Sequence, residues 1–222
     1  MSSFFFALML VFFMLIRLCI FFFVLCNFLF LEFFSQEKKQ SNFFLGDIIN
    51  DYVTVKYPKE FFKDYIYIGI DRQKLYYFSQ GKLKDIFVVS TSENGAGNGV
   101  SSNQTPTGLH FIKEKIGENA PIGTLFKKKK STGKVVEIHQ AILGEPKDEI
   151  TSRILSLCGK EEGLNKGKKI DTYSRGIYIH GTSEEGSLGN PSSHGCVRMN
   201  NSDIIYLFDI VEEGTLVVLI DN

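Results

Sequence analysis

The sequence predicts a mainly β domain, a barrel or sandwich with one or two short helices, preceded by an N-terminal apolar helix. Three observations predict it. From Tyr65 onward the chain breaks into short alternating runs separated by turn residues, as half-buried strands joined by hairpins do. Ser202–Val211 (SDIIYLFDIV) stands out among these runs, with apolar residues at helical spacing behind a good N-cap. Phe4–Phe34 is almost wholly apolar, broken only by Arg17, Asn27 and Glu32.

Taken in order, the apolar stretch is long enough to span a bilayer. An arginine near its middle would cost several kcal/mol there. If synthesis began at Met14, Met14–Arg17 would form a short positive region and Leu18–Leu31 the apolar core of an export signal. No small-x-small cleavage site follows in Leu29–Ser35, so residues 1–34 read as a signal-anchor, with a cleaved signal peptide as the rival. Residues 35–64 read as a polar exit, a short helix and a link, and 65–222 as the main folded domain. Within it YIYIGI (Tyr65–Ile70), KLYYFS (Lys74–Ser79) and KLKDIFVVST (Lys82–Thr91) form a meander, and Ser92–Gln104 is a Gly/Asn/Ser loop. Strands are expected at Leu109–Ile116, Val135–Ala141, Thr151–Leu157 and Gly214–Ile220. Lys127–Lys130 reads as a solvated loop tip, and Gly159–Lys169 as an exposed loop.

Charge excludes one class of partner. The 222 residues hold 25 Lys+Arg against 25 Asp+Glu, so no basic surface is built for nucleic acid. The four cysteines do not make a disulfide scaffold. Cys19 and Cys26 lie in the apolar stretch, and Cys158 reads as a small buried apolar residue. That leaves Cys196, in Ile177–Asn200 (IYIHGTSEEGSLGNPSSHGCVRMN).

A thiol nucleophile needs a base for its proton, donors for an oxyanion, and positive charge that favours thiolate. Ile177–Ile179 reads as a buried strand ending in His180. The Gly- and Ser-rich loop after it can return Ser193-His194-Gly195-Cys196 against that strand tip. Gly195 leaves room for backbone N–H groups to approach a carbonyl oxygen. If Cys196–Arg198 is extended, both side chains share a face. His180 is the preferred base, since an imidazole titrates near working pH. His194 and Ser193 read as site support. Arg198 either makes a structural ion pair or holds a substrate carboxylate as a fixed fork of donors. His110 and His139 read as packing or surface residues.

Here the sequence resembles the L,D-transpeptidase catalytic domain of the YkuD/ErfK type. His180-Gly181, the twelve-residue spacer Gly181–Ser192, SHGC and Arg198 carry the resemblance, which covers roughly Tyr65 to Ile220. It implies an L,D-transpeptidase-like β-barrel or sandwich and a cysteine acyl-transfer enzyme of the bacterial cell wall. It also implies that the backbone carbonyl of Gly181 orients His180, and that Thr105-Pro106-Thr107-Gly108 matches the family's TPxG segment, placing Thr107 and Gly108 beside the substrate cleft. Cys196 would attack the bond between an L-centre and a D-residue in a peptidoglycan stem peptide, giving a thioester. An amine then forms a cross-link, contributing to cell-wall biogenesis and cell shape; water in its place gives an L,D-carboxypeptidase. The expected partners are stem peptides, and the membrane through the N-terminal segment, with the domain at the outer face of the cytoplasmic membrane or in the periplasm. No cofactor or metal is expected. A zinc-dependent wall hydrolase, a non-catalytic wall-binding module and a sortase-like transpeptidase are the rivals.

Overall fold

The structure is a computed structural model that describes residues 23, 25, 27, 28, 30–32, 44–142 and 147–222. The chain divides into two compact units, Met1–Ile48 and Ile49–Asn222. In the first, the described residues between 23 and 32 are helical and exposed, and Asn27 Nδ2 donates to the carbonyl of Phe23 at 2.7 Å. Most of the expected signal-anchor therefore lies outside the described residues. Among the described residues no helix is long and apolar enough to cross a membrane.

A helix over 44–56, α1, falls in the stretch expected to hold a short helix. The strands follow as β1 (Asp64–Gly69), β2 (Lys74–Ser79), β3 (Lys82–Ser90), β4 (Gly108–Ile116), β5 (Thr124–Lys127), β6 (Lys130–Val135) and β7 (Ile150–Gly159). Then come α2 (Thr172–Arg175), β8 (Tyr178–Gly181), β9 (Val197–Met199), α3 (Asn201–Ile210) and β10 (Leu216–Ile220). One sheet runs β4-β10-β1-β2-β3-β9-β8-β7-β5-β6, and β4 also pairs with β7. That second pairing closes eight strands into a barrel, with the β5–β6 hairpin carried on β7. The pairings β1–β10 and β8–β9 are parallel.

Alternation decides what lies inside. Ile66, Ile68, Leu75, Val89, Ile112, Leu155, Leu157, Ile179, Val197, Met199, Val217 and Leu219 form one buried cluster with Ile204, Leu207 and Phe208 of α3. The opposite faces of β1 and β2 are aromatic: Tyr65 stacks on Phe78, its register partner, at 4.4 Å. Tyr65 OH donates to Asn50 Oδ1 at 3.2 Å, and Ile49 and Val53 of α1 are buried. These residues bury the sheet's second face, which antiparallel strands otherwise leave to water.

Two expectations change. Val135–Ala141 is not a strand: the pairing ends at Val135, and beyond it one isolated bridge joins His139 to Glu184. β6 is exposed along its whole length, so no buried face marks its ends in the sequence. Cys158 is half-buried, and desolvation still raises its thiol pKa. His110 is a packing residue as expected, its ring within 3.0 Å of Gly108 O and Thr172 Oγ1, and burial lowers its pKa to about 4.

Candidate active site

β8 and β9 run side by side, with Ile179 opposite Val197, His180 opposite Arg198 and Gly181 opposite Met199. Successive strand residues face opposite ways. Ile179, Val197 and Met199 therefore enter the core, and Tyr178, His180, Cys196 and Arg198 share the other face. The returning loop does what its Gly and Ser content predicts. It lays the sequence's two singled-out groups, imidazole and thiol, on neighbouring strands.

His180 is buried, and its Nδ1 lies 2.7 Å from the carbonyl oxygen of Gly181. A carbonyl only accepts, so Nδ1 carries the proton and Nε2 is left as the acceptor. A Cβ at Gly181 would lie 2.5 Å from Asn201 Oδ1, so only glycine fits where this carbonyl must be presented. Asn201 is fixed in turn by donors from Thr151 and Ser152, at 2.7 and 2.5 Å. Desolvation lowers the His180 pKa, against an opposing pull from Asp148. The ring is therefore neutral at neutral pH, the form a base needs.

The thiol differs from expectation. Burial pushes the Cys196 pKa up to about 12, helped by Asp148 and opposed by the Tyr178 backbone N–H and by Arg175. Cys196 packs against Phe126, Ile154 and Tyr178, and its Sγ lies 3.6 Å from the carbonyl of Gly176. At rest it is a thiol, and a thiolate forms only as a base takes the proton.

The positive group near sulfur is Arg175, not Arg198. Arg198 is fully buried, and its donors are already engaged. Nη2 donates to Glu184 Oε2 and Thr182 Oγ1, both at 2.8 Å, and Nη1 to the carbonyl of Ser192 at 2.9 Å. Of the two readings the sequence leaves open, this is the structural ion pair: Arg198 staples the loop that carries the cysteine back. Removing it would leave the buried Glu184 carboxylate with only the backbone N–H groups of Lys147 and Asp148 and no opposite charge. We expect Arg198→Ala to lose about 3–5 kcal/mol of stability in urea unfolding. A substrate-binding role alone would raise KM with stability unchanged.

The rest of SHGC is loop construction. Ser193 Oγ donates to Cys196 O at 2.6 Å and accepts from Gly195 N–H at 3.2 Å, so that N–H is engaged by the loop. Gly195 has φ +123°, and a Cβ there would sit 3.2 Å from Gln104 O. Thr105 Oγ1 donates to Gly195 O at 3.1 Å. The contact made by the TPTG segment is thus Thr105. Thr107 exchanges hydrogen bonds with Asn98, and Gly108 faces Glu161 and Asn165. His194 is half-exposed at the rim, its Nδ1 2.9 Å from Asp148 Oδ2.

Sequence reasoning missed Asp148, Arg175, Glu184 and Tyr178. Asp148 sits in a polar run, GEPKDE, that looks like any surface loop. Arg175 ends the short α2 and donates to the carbonyl of Gly97 at 3.1 Å and to that of Gln104. The one usable signal was Tyr178, which a parallel partner two residues before His180 and Arg198 places on the cysteine face. Among the described residues no group of three His, Cys, Asp or Glu could hold a metal.

The comparisons with known proteins decide the family. The model of the YkuD L,D-transpeptidase catalytic domain matches residues 63–219. The chain belongs to this family. "Probable L,D-transpeptidase ErfK/SrfK" of Escherichia coli is 51% identical over 44 residues, 20% of this chain and 14% of that protein. "Probable L,D-transpeptidase YbiS" of the same organism matches to the same extent. The chain spans a quarter or less of the length of the curated relatives it matches. Among solved structures, an L,D-transpeptidase of Xylanimonas cellulosilytica has TM-score 0.43 and 20% identity, over 71% of this chain and 60% of that one. One from Mycobacterium smegmatis has TM-score 0.43 and 16% identity, over 71% and 58%. The barrel is the mainly β fold expected of an L,D-transpeptidase domain.

Proposed function

We propose that this YkuD-family domain forms peptidoglycan cross-links through a thioester on Cys196. The observation that carries the reading is the shared face of β8 and β9, with the His180 tautomer set by Gly181. The Cys196 thiol passes its proton to His180 Nε2 as sulfur attacks the stem-peptide carbonyl. Tyr178 N–H and Arg175 favour the forming thiolate. His180 returns the proton to the departing amine of the terminal D-residue. An amine from a second stem then attacks the thioester, passes a proton to His180 and frees the thiol. Water attacking the same thioester would release the shortened peptide.

The apolar composition of Phe4–Phe34 supports a domain held at the outer face of the cytoplasmic membrane. The test uses full-length protein from the membrane fraction, with stem tetrapeptide and an amine acceptor. We expect the amide product to exceed the hydrolysed one. Hydrolysis alone would make the protein a carboxypeptidase, and recovery in the soluble cytoplasmic fraction would remove the anchor.

A further inference from the structure

The four-lysine run Lys127–Lys130 is not uniformly solvated. Lys127, Lys128 and Lys130 are exposed, but the side chain of Lys129 is only 22% exposed. The turn between β5 and β6 folds it back, with φ +49° at Lys128 and +65° at Lys129. Its ammonium lies 4.0 Å from the ring centroid of Tyr173 and 5.5 Å from that of Tyr178, and pairs with Glu114. Lys113 Nζ stands 3.9 Å from the same Tyr173 centroid. Two ammonium groups therefore share one ring and lie at most about 8 Å apart.

The arrangement leaves one of its two cations, Lys113, without a close ion pair among the described residues. Glu114 also accepts from Tyr173 OH at 3.0 Å, and Lys113 acts at longer range on the carboxylates of Glu114 and Asp171. Among the described residues no carboxylate lies within ion-pair distance of Lys113. The ring stabilises cations on its face, but like charges this close repel, and a second anion would relieve that. Tyr178 connects this corner to the chemistry, since it touches Lys129 on one side and packs in the apolar cluster against Cys196 on the other. Apolar surroundings also screen charge less than water does.

We propose that Lys113 and Lys129, held on Tyr173, form the wall of the site that recognises a carboxylate of the acyl-donor peptide. This rests on the reading of Cys196 as the residue a stem peptide acylates. The wall selects donors whose carboxylates upstream of the scissile bond are free over donors carrying carboxamides there. Glu114 competes with the substrate for Lys129 and tempers the attraction.

The test measures binding of two matched tetrapeptides, one with free upstream carboxylates and one with carboxamides, to the full-length Cys196→Ala protein. The carboxylate peptide should bind more tightly, by about two- to fivefold for each lysine engaged. Lys113→Gln and Lys129→Gln should each narrow the gap, and raised salt should close it. Glu114→Gln keeps the acceptor for Tyr173 and removes the competing charge, so it should widen the gap. A purely structural cluster predicts loss in all three variants. Equal affinity for the two peptides, or a gap that both lysine variants leave intact, overturns the proposal. Carbapenem labelling of the parent chain reads the cysteine separately. Absence of that adduct sinks the acyl-enzyme reading, while the binding series still judges the lysines.

Discussion

Incubation with a carbapenem should add one drug mass to the protein, on Cys196, and Cys196→Ala should abolish both the adduct and peptide turnover. The strained β-lactam amide stands in for the donor bond, so sulfur attack opens the ring and leaves a stable acyl-thiol. Loss of an activated nucleophile typically costs about 10⁴-fold or more. Cys158 is the internal control. It is half-buried on β7, two residues past the last pairing of that strand with β8, so it is not a register neighbour of His180. Simple alkylation distinguishes the two thiols in the opposite direction. With its pKa near 12, a resting Cys196 should alkylate slowly at neutral pH and faster as pH rises, while it acylates readily with the carbapenem. Intact-protein mass spectrometry with peptide mapping decides the matter. An adduct confined to Cys158, or none at all on folded protein, would refute a Cys196 acyl-enzyme.

What the sequence made legible divides along a physical line. Short runs of β-branched and aromatic residues bounded by turn residues announce strands even where, as in β1, β2, β7 and β10, nearly every residue is buried, so the β1–β3 meander, β4, β7 and β10 were readable to within a few residues. The Ile177–His180 strand tip and the SHGC return were readable because glycine, serine and the catalytic residue types cluster within two dozen positions. Long-range electrostatics was not readable. Whether an arginine serves substrate or scaffold depends on which carboxylate folds against it, and Glu184 meets Arg198 only once the 182–192 loop has closed. Burial of the thiol was equally hidden, since Phe126 and Ile154 arrive from β5 and β7. Lys129 shows the same limit at a smaller scale. A run of four lysines describes a charged tip, and only the turn's positive φ values turn one of them inward.

His180→Ala should lose about 10²–10⁴-fold in acyl transfer with the fold intact, and the raised thiol pKa makes the upper end the expectation. A depressed thiol would keep some thiolate without a base; a thiol near 12 keeps almost none at pH 7. The variant should therefore regain rate as pH is raised, because hydroxide substitutes for the missing imidazole. In the parent enzyme the base must be neutral, and burial lowers its pKa from the ordinary histidine value. Activity should then persist as pH falls through 6.5 and decline only below it. His194 gives the contrasting case. It is half-exposed and bound to Asp148 at the rim, so His194→Ala should change KM or loop order modestly and leave that acid limb where it was. Near-normal turnover in His180→Ala with an inactive but folded His194→Ala would exchange the two roles. The Gly181 carbonyl supplies the last check. Replacing Gly181 by Ala drives a methyl into Asn201, 2.5 Å from the required Cβ position, so the carbonyl that fixes the His180 tautomer must move. That variant should lose activity through the same acid–base step, with the thiol still present and titrating high.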